Sequence, residues 1–242
     1  MGMLKSSLAV LVLAFAFFFC FVMSTGSYDY FQFVQQWPPT TCNAPKKCSK
    51  SPPLQIFTIH GLWPSNYSNP TLPSNCNGSQ FEDRKVYPEL RSDLKRSWPD
   101  VKNGNDTNFW AGEWNKHGTC SEDTLNQMQY FERSHDMWIS YNITKMLKSA
   151  QIVPNARRTL SYSDIVSPIK TATGRTPLLR CKPHPKSQTK SQPKSQAKSQ
   201  PNSQANSQLL HEVVFCYDYD ALVLIDCNRT AGCQNNVAIS FQ

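Results

Sequence analysis

Two short stretches hold the residues best suited to acid–base chemistry. One is FTIHGLWP, residues 57–64, with His60; the other is EWNKHGTC, residues 113–120, with Glu113, Lys116 and His117. On a helix the last three stand at i, i+3 and i+4, so a carboxylate, an ammonium and an imidazole share one face. A surface ion pair beside a bystander histidine would have the same spacing. His60 shifts the balance, because it ends an apolar β-type run and Gly61 behind it permits close approach of another backbone. Two imidazoles in tight aromatic and glycine settings are what one acid and one base require. Metal chemistry fits less well. His117 and Cys120 have ligand-like spacing, and Cys42 and Cys48 could join them, but zinc sites favour CxxC or HxxxH pairs. No acidic cluster suits magnesium. Neither metal nor cofactor is expected.

The elements that must position these residues are of both kinds. YDYFQFVQQWP (28–38) and PLQIFTIHGLWP (53–64) read as strands. The stretch 65–80, dense in Ser, Asn and Pro, reads as an exposed loop. Helical texture follows from YPELRSDLKRSWPD onward. Residues 123–150 place Leu125, Met128, Phe131, Met137, Trp138, Tyr141 and Met146 at near-helical spacings, and SYSDIVSPIKTAT reads as another helix. HEVVFCYDYDALVLIDC gives two strands with DYDA as their turn. Helices in the middle and strands at both ends make the class α+β.

The chain opens with a lysine, a long apolar run (8–23) and the small residues STGS, the layout of a cleaved secretory signal peptide covering residues 1–27. The run is short for spanning about 30 Å of hydrocarbon, so no membrane attachment is expected after its removal. The domain is then residues 28–242. Without Cys20 there remain eight cysteines, read as four disulfides of an exported protein; spacing cannot choose among about a hundred pairings. The sequons at Asn66, Asn77, Asn105, Asn142 and Asn228 agree with export. The net charge of +8 favours anionic partners. Much of it lies in a repeat of the type KSQX at 186–208, which has no side chain large enough to build a core and reads as a disordered insertion.

FTIHGLWP and EWNKHGTC together resemble the two active-site segments of the T2 ribonuclease family. YFQFVQQWPPTTC and the cysteine order are similar to it as well. The C-terminal LLHEVVFCYDYDALVLIDCNRTAGC resembles the stylar self-incompatibility ribonucleases of the rose family. The resemblance covers residues 28–242 apart from the repeat. It implies a single α+β domain with a central antiparallel sheet, helices packed on it, and the pairs Cys42–Cys48, Cys76–Cys120, Cys181–Cys233 and Cys216–Cys227. Many members carry a histidine just before the glutamate, where this chain has Gly112, which removes one phosphate donor.

The implied activity is metal-independent cleavage of single-stranded RNA by transphosphorylation. His117 takes the ribose 2′-OH proton, His60 protonates the departing 5′-oxygen, and a 2′,3′-cyclic phosphate remains. Glu113 and Lys116 would hold the phosphate as charge builds on it. Trp63 would stack near one base, with Gln36, Asp100, Val101 and Phe109 lining sites for the flanking base. The resemblance further implies a monomer secreted into the extracellular matrix of the style, acting as the pistil determinant of self-incompatibility. Its loop near 65–74 would then be read by pollen F-box proteins. The alternatives are a defence, digestive or phosphate-scavenging ribonuclease, or a non-catalytic binding or storage glycoprotein on the same fold.

Overall fold

The computed structural model of the protein describes residues 28–42, 48–69, 71–184, 207–228 and 232–242. The expected leader and residues 186–206 of the repeat lie outside them. Seven strands among the described residues form one sheet: β1 (Tyr30–Gln36), β2 (Thr58–Ser65), β3 (Thr159–Leu160), β4 (Leu178–Pro183), β5 (Gln208–Tyr217), β6 (Leu224–Ile225) and β7 (Ile239–Ser240). The order is β2-β1-β5-β7-β3, with β4 and β6 also paired to β5. The sheet is not wholly antiparallel, because β5 and β7 run parallel.

Alternation along β1 feeds two faces. Phe31 and Phe33 enter the main core, while Tyr30 and Val34 join a smaller cluster with Trp63, Leu178, Val214 and Cys216. Besides a single helical turn at Pro38–Thr41, five longer helices among the described residues follow or interleave with the strands: α1 (Pro88–Ser97), α2 (Asp106–Lys116), α3 (Gln127–Ser140), α4 (Ile143–Ser149) and α5 (Tyr162–Thr173). The helical stretch 123–150 is thus two helices. Its break is at Asn142, whose side chain accepts from the Lys145 amide and starts α4. Met128, placed on the apolar face by spacing, is exposed. Asn126 and Gln129 form a reciprocal capping box on α3, and Ser161 and Asp164 form another on α5.

The repeat ends earlier than its sequence suggests. Gln208 opens β5, and its carboxamide is buried, donating to the Gln234 and Val237 carbonyls and accepting from the Gln234 amide. Ser65, at the start of the expected loop, is likewise buried as the last residue of β2. The DYDA turn is present: the Asp218 carboxylate accepts from the amides of Leu222 and Val223, with Ala221 at φ 56°. Four disulfides join Cys42–Cys48, Cys76–Cys120, Cys181–Cys233 and Cys216–Cys227, the pairs the resemblance implies.

Helices α1 and α3 hold β2 by its backbone. The Trp138 indole donates to the Phe57 carbonyl (2.9 Å), Trp98 to the His60 carbonyl (3.1 Å) and the Tyr130 hydroxyl to the Leu62 carbonyl (2.8 Å). Each large ring therefore fills core and also satisfies a strand carbonyl. Tyr130→Phe removes only the hydroxyl and leaves the Leu62 carbonyl unpaired in the core. It should cost about 1–3 kcal/mol, read as a lower urea midpoint at unchanged slope; an unchanged midpoint would show that the bond contributes nothing.

Candidate active site

The register of β1 against β2 slips once. Val34 faces Gly61 and Gln35 faces Ile59, so His60 has no partner and forms a β-bulge. The extra residue lets Ile59 and Leu62, three apart, both point into the main core, and it turns His60 out of the sheet. The His60 ring is half-buried. Its Nδ1 lies 2.6 Å from Glu212 Oε1, on β5. The other Glu212 oxygen accepts from Arg180 Nη1 on β4 (3.2 Å), Arg180 Nη2 donates to Gln32, and Gln32 donates to the Tyr30 hydroxyl (3.1 Å). Burial opposes the Glu212 charge, but the His60 hydrogen bond and the neighbouring His60, His211 and Arg180 charges hold its carboxyl down at about 2.

The second segment ends a helix. Asn105 caps α2 by accepting from the Asn108 amide, Trp110 and Trp114 bury one face, and His117 is the C-terminal cap. The Trp63 indole donates to Glu113 Oε2 (2.8 Å), which ties this helix to β2. Burial pushes the Glu113 carboxyl up from its ordinary value, against the pull of His60, the Trp63 N–H and Lys116. Lys116 is exposed, so the three residues share a helix end but not an environment. His117 is only 4% exposed. Its ring bonds the Pro73 carbonyl, and Nδ1 has no protein partner. Burial, then the Lys116 charge, lowers its pKa to about 4, with the Pro73 carbonyl opposing. The segment carrying Pro73 is pinned over it by Cys76–Cys120 and by the Asn75 amide, which donates to the Lys116 carbonyl (2.7 Å).

Trp63 stands between the two histidines, its ring centroid 5.1 Å from His60 and 5.2 Å from His117. The Arg180 guanidinium lies over the same ring at 5.2 Å. With 7% of Trp63 exposed, little ring is left for a base to stack on. Its indole instead contacts Glu113 and Arg180 from either side. Gln36, Asp100, Val101 and Phe109 do line one cleft of about 450 Å³ together with His60, Lys102, Asn103, Asn105 and Asn108. Phe109 is half-buried, 6.2 Å from the His60 ring. The Asp100 carboxylate shapes the cleft wall by accepting from the amides of Lys102, Asn103 and Asn105. No group of three or more His, Cys, Asp and Glu among the described residues is arranged to hold a metal ion. Sequon residues Asn77, Asn105, Asn142 and Asn228 are exposed and Asn66 is half-buried.

Glu212, Arg180 and Gln32 belong to neither of the two sequence segments that suggest the chemistry. The signal was there for Glu212, the one acid in the strand QLLHEVVFCY. A carboxylate inside an apolar strand needs partners. Arg180 and Gln32 carry no such mark.

Two glycines near the site should respond oppositely to alanine. A Cβ on Gly61 would run into the Trp63 indole nitrogen and the Glu113 carboxylate, whereas one on Gly112 meets nothing within 4 Å. Gly61→Ala should cost about 1–3 kcal/mol by overpacking, and Gly112→Ala should add about 0.5–1 kcal/mol of helix stability. Urea titration of both variants checks the signs. Stability should also fall in acid. Burial lowers His117 and His211 to about 4, so the unfolded chain takes up protons first as pH drops below about 6.5. Stability is full above that value and declines toward pH 4, on the order of 3 kcal/mol per histidine. Glu212 adds a further loss between its ordinary value of 4.5 and about 2. A urea midpoint unchanged between pH 7 and pH 4 would contradict this account.

The chain is similar to known proteins in both sequence and fold. Residues 28–227 match the model of the ribonuclease T2 family. Ribonuclease MC of Momordica charantia is 39% identical over 204 residues, 84% of this chain and 95% of that protein. A mutant of RNase MC1 solved in complex with 5′-GMP superposes at TM-score 0.73 with 39% identity, over 89% of this chain and 100% of that one. Japanese pear S3-RNase superposes at 0.71 with 30% identity, over 88% and 100%. The chain belongs to the ribonuclease T2 family and is an endoribonuclease.

Proposed function

We propose that the enzyme cleaves single-stranded RNA by transphosphorylation, with His117 as base and His60 as acid. The observation that carries this is the pair of imidazoles either side of Trp63 in contrasting surroundings. His117 is buried beside a lysine and stays neutral down to about pH 4, ready to accept the 2′-OH proton. Its orphaned Nδ1 is a buried acceptor costing about 1–3 kcal/mol, which a substrate hydroxyl would offset once the Pro73 segment yields. His60 opens on the cleft and delivers a proton to the departing 5′-oxygen, leaving a 2′,3′-cyclic phosphate. Lys116, exposed at the helix end, meets the phosphate. Glu113, held by Trp63, supports the oxygens as charge develops. The substrate supplies the nucleophile, so DNA is not cut. Gln36, Asp100, Val101 and Phe109 seat the flanking base.

We further propose that the protein is a secreted, glycosylated monomer and the pistil determinant of self-incompatibility. Four disulfides and the exposed sequons support export, and the likeness to Japanese pear S3-RNase supports the stylar role. The surface near residues 65–74, with Tyr67 exposed, is then the face offered to pollen F-box proteins. The near-equal likeness in sequence to ribonuclease MC, 39%, and to ribonuclease S-3 of Pyrus pyrifolia, 38%, supports a second reading, a general defence or phosphate-scavenging ribonuclease. Expression confined to the style, with allelic variation, separates the two.

The deciding assay is RNA cleavage in excess EDTA. Wild type should yield 2′,3′-cyclic ends, and His60→Asn and His117→Asn should each lose about 10²–10⁴-fold in kcat. Activity that needs added metal, or survives both substitutions, would sink the mechanism. The acid limb of kcat/KM should centre near pH 4, where His117 takes up its proton; a limb centred at pH 6–7 would transfer the base role elsewhere.

A further inference from the structure

Glu212 reaches His60 across an intervening strand. β1 lies between β2 and β5, so the two backbones are two strand spacings apart, about 10 Å. The gap closes because of two bulges. His60 is the extra residue of β2 against β1. His211 is the extra residue of β5 against β4, where Arg180 faces Glu212 and Cys181 faces Leu210. The first leans the imidazole across β1. The second brings Glu212 into register with both Gln36 and Arg180.

The result is more than a buried ion pair. An ionised carboxylate only accepts, so His60 Nδ1 must carry the hydrogen. That leaves Nε2 as the one ring nitrogen available to substrate. Glu212 cannot turn away, because Arg180 holds its second oxygen and is itself held by Gln32. Among the charged and titratable groups around it, His60 comes from β2, Arg180 from β4 and His211 from β5. Glu212 is the carboxylate at their centre. The contrast with His117 is direct: that ring has a lysine and a carbonyl for company.

We propose that Glu212, locked by Arg180, is the positioning residue that holds His60 with Nδ1–H inward and Nε2 toward the leaving oxygen. This rests on His60 being the acid. Without the carboxylate the ring turns or changes tautomer, and protonation of the 5′-oxygen slows while attack by the 2′-oxygen does not.

A leaving group that needs no proton separates positioning from general damage. Wild type, Glu212→Gln and His60→Asn are assayed on uridylyl-3′,5′-adenosine and on uridine 3′-(4-nitrophenyl) phosphate. Glu212→Gln should lose about 10–100-fold in kcat on the dinucleotide, with KM within about twofold. On the nitrophenyl ester its kcat should stay within about threefold of wild type. Equal losses on both substrates would make Glu212 merely structural, and no loss on the dinucleotide would end the proposal. If His60→Asn itself spares the dinucleotide, the acid assignment fails and not the positioning step alone. Should Glu212→Gln fold poorly through the stranded Arg180, Glu212→Gln with Arg180→Met removes both charges and must show the same split between substrates. Nitrogen NMR of the His60 ring gives a further readout: Nδ1–H in wild type, and loss of that tautomer in the double variant.

Discussion

One extra residue in β2 governs the geometry of the site. Without the bulge at His60, strict alternation would send either Ile59 or Leu62 out of the main core, and a one-residue slip exchanges every side chain between faces. With it, both stay in the core, while Trp63 goes to the opposite cluster and His60 projects over β1. The distortion is held from behind. Three aromatic donors, from Trp138, Trp98 and Tyr130, bind the carbonyls at Phe57, His60 and Leu62, on both sides of the bulge and at its centre. The bulge is therefore a supported feature of the core, and the strand that carries His60 borrows its rigidity from helices α1 and α3.

Charge is distributed as deliberately as shape. Each imidazole is close to Trp63, yet one is paired with a carboxylate and the other sits beside an ammonium. The two rings therefore meet different neighbours, and for His117 burial and the ammonium act in the same direction, lowering its pKa. Burial sharpens the contrast, since low dielectric magnifies each neighbour. Trp63 adds a link: its N–H holds Glu113 and its ring carries Arg180, which in turn holds Glu212. The two halves of the site are thereby joined through one indole.

What could be read from sequence follows the range of the interactions concerned. His60, Glu113, Lys116 and His117 were legible because helical spacing and a strand ending in His-Gly are local patterns. Strands β1, β2 and β5 and helix α1 were legible for the same reason. The bulge was not, because it exists only in the register between strands. Glu212, Arg180 and Gln32 meet across β5, β4 and β1, separations that no window of sequence spans. The parallel pairing of β7 with β5 is equally nonlocal. Trp63 shows the limit from the other side: it lies three residues from His60, but the enclosure of its ring by Glu113 and Arg180 is set from distant parts of the chain.

The chain also accommodates a long insertion close to its site. The repeat enters between β4 and β5, the two strands that bring Arg180 and Glu212 together. The hairpin pairs from Leu178 facing Val214 out to Pro183 facing Gln208, so the insertion joins beyond the last pair. There Gln208 is fixed by bonds to Gln234 and Val237, and Cys181 is stapled to Cys233. Closing a longer loop costs only a logarithmic increment, roughly 0.6 kcal/mol per doubling. That cost falls on the hairpin's far end, where the disulfide and the glutamine absorb it. The Arg180–Glu212 pair lies inside those anchors, so the register on which His60 depends is insulated from the length of what is inserted.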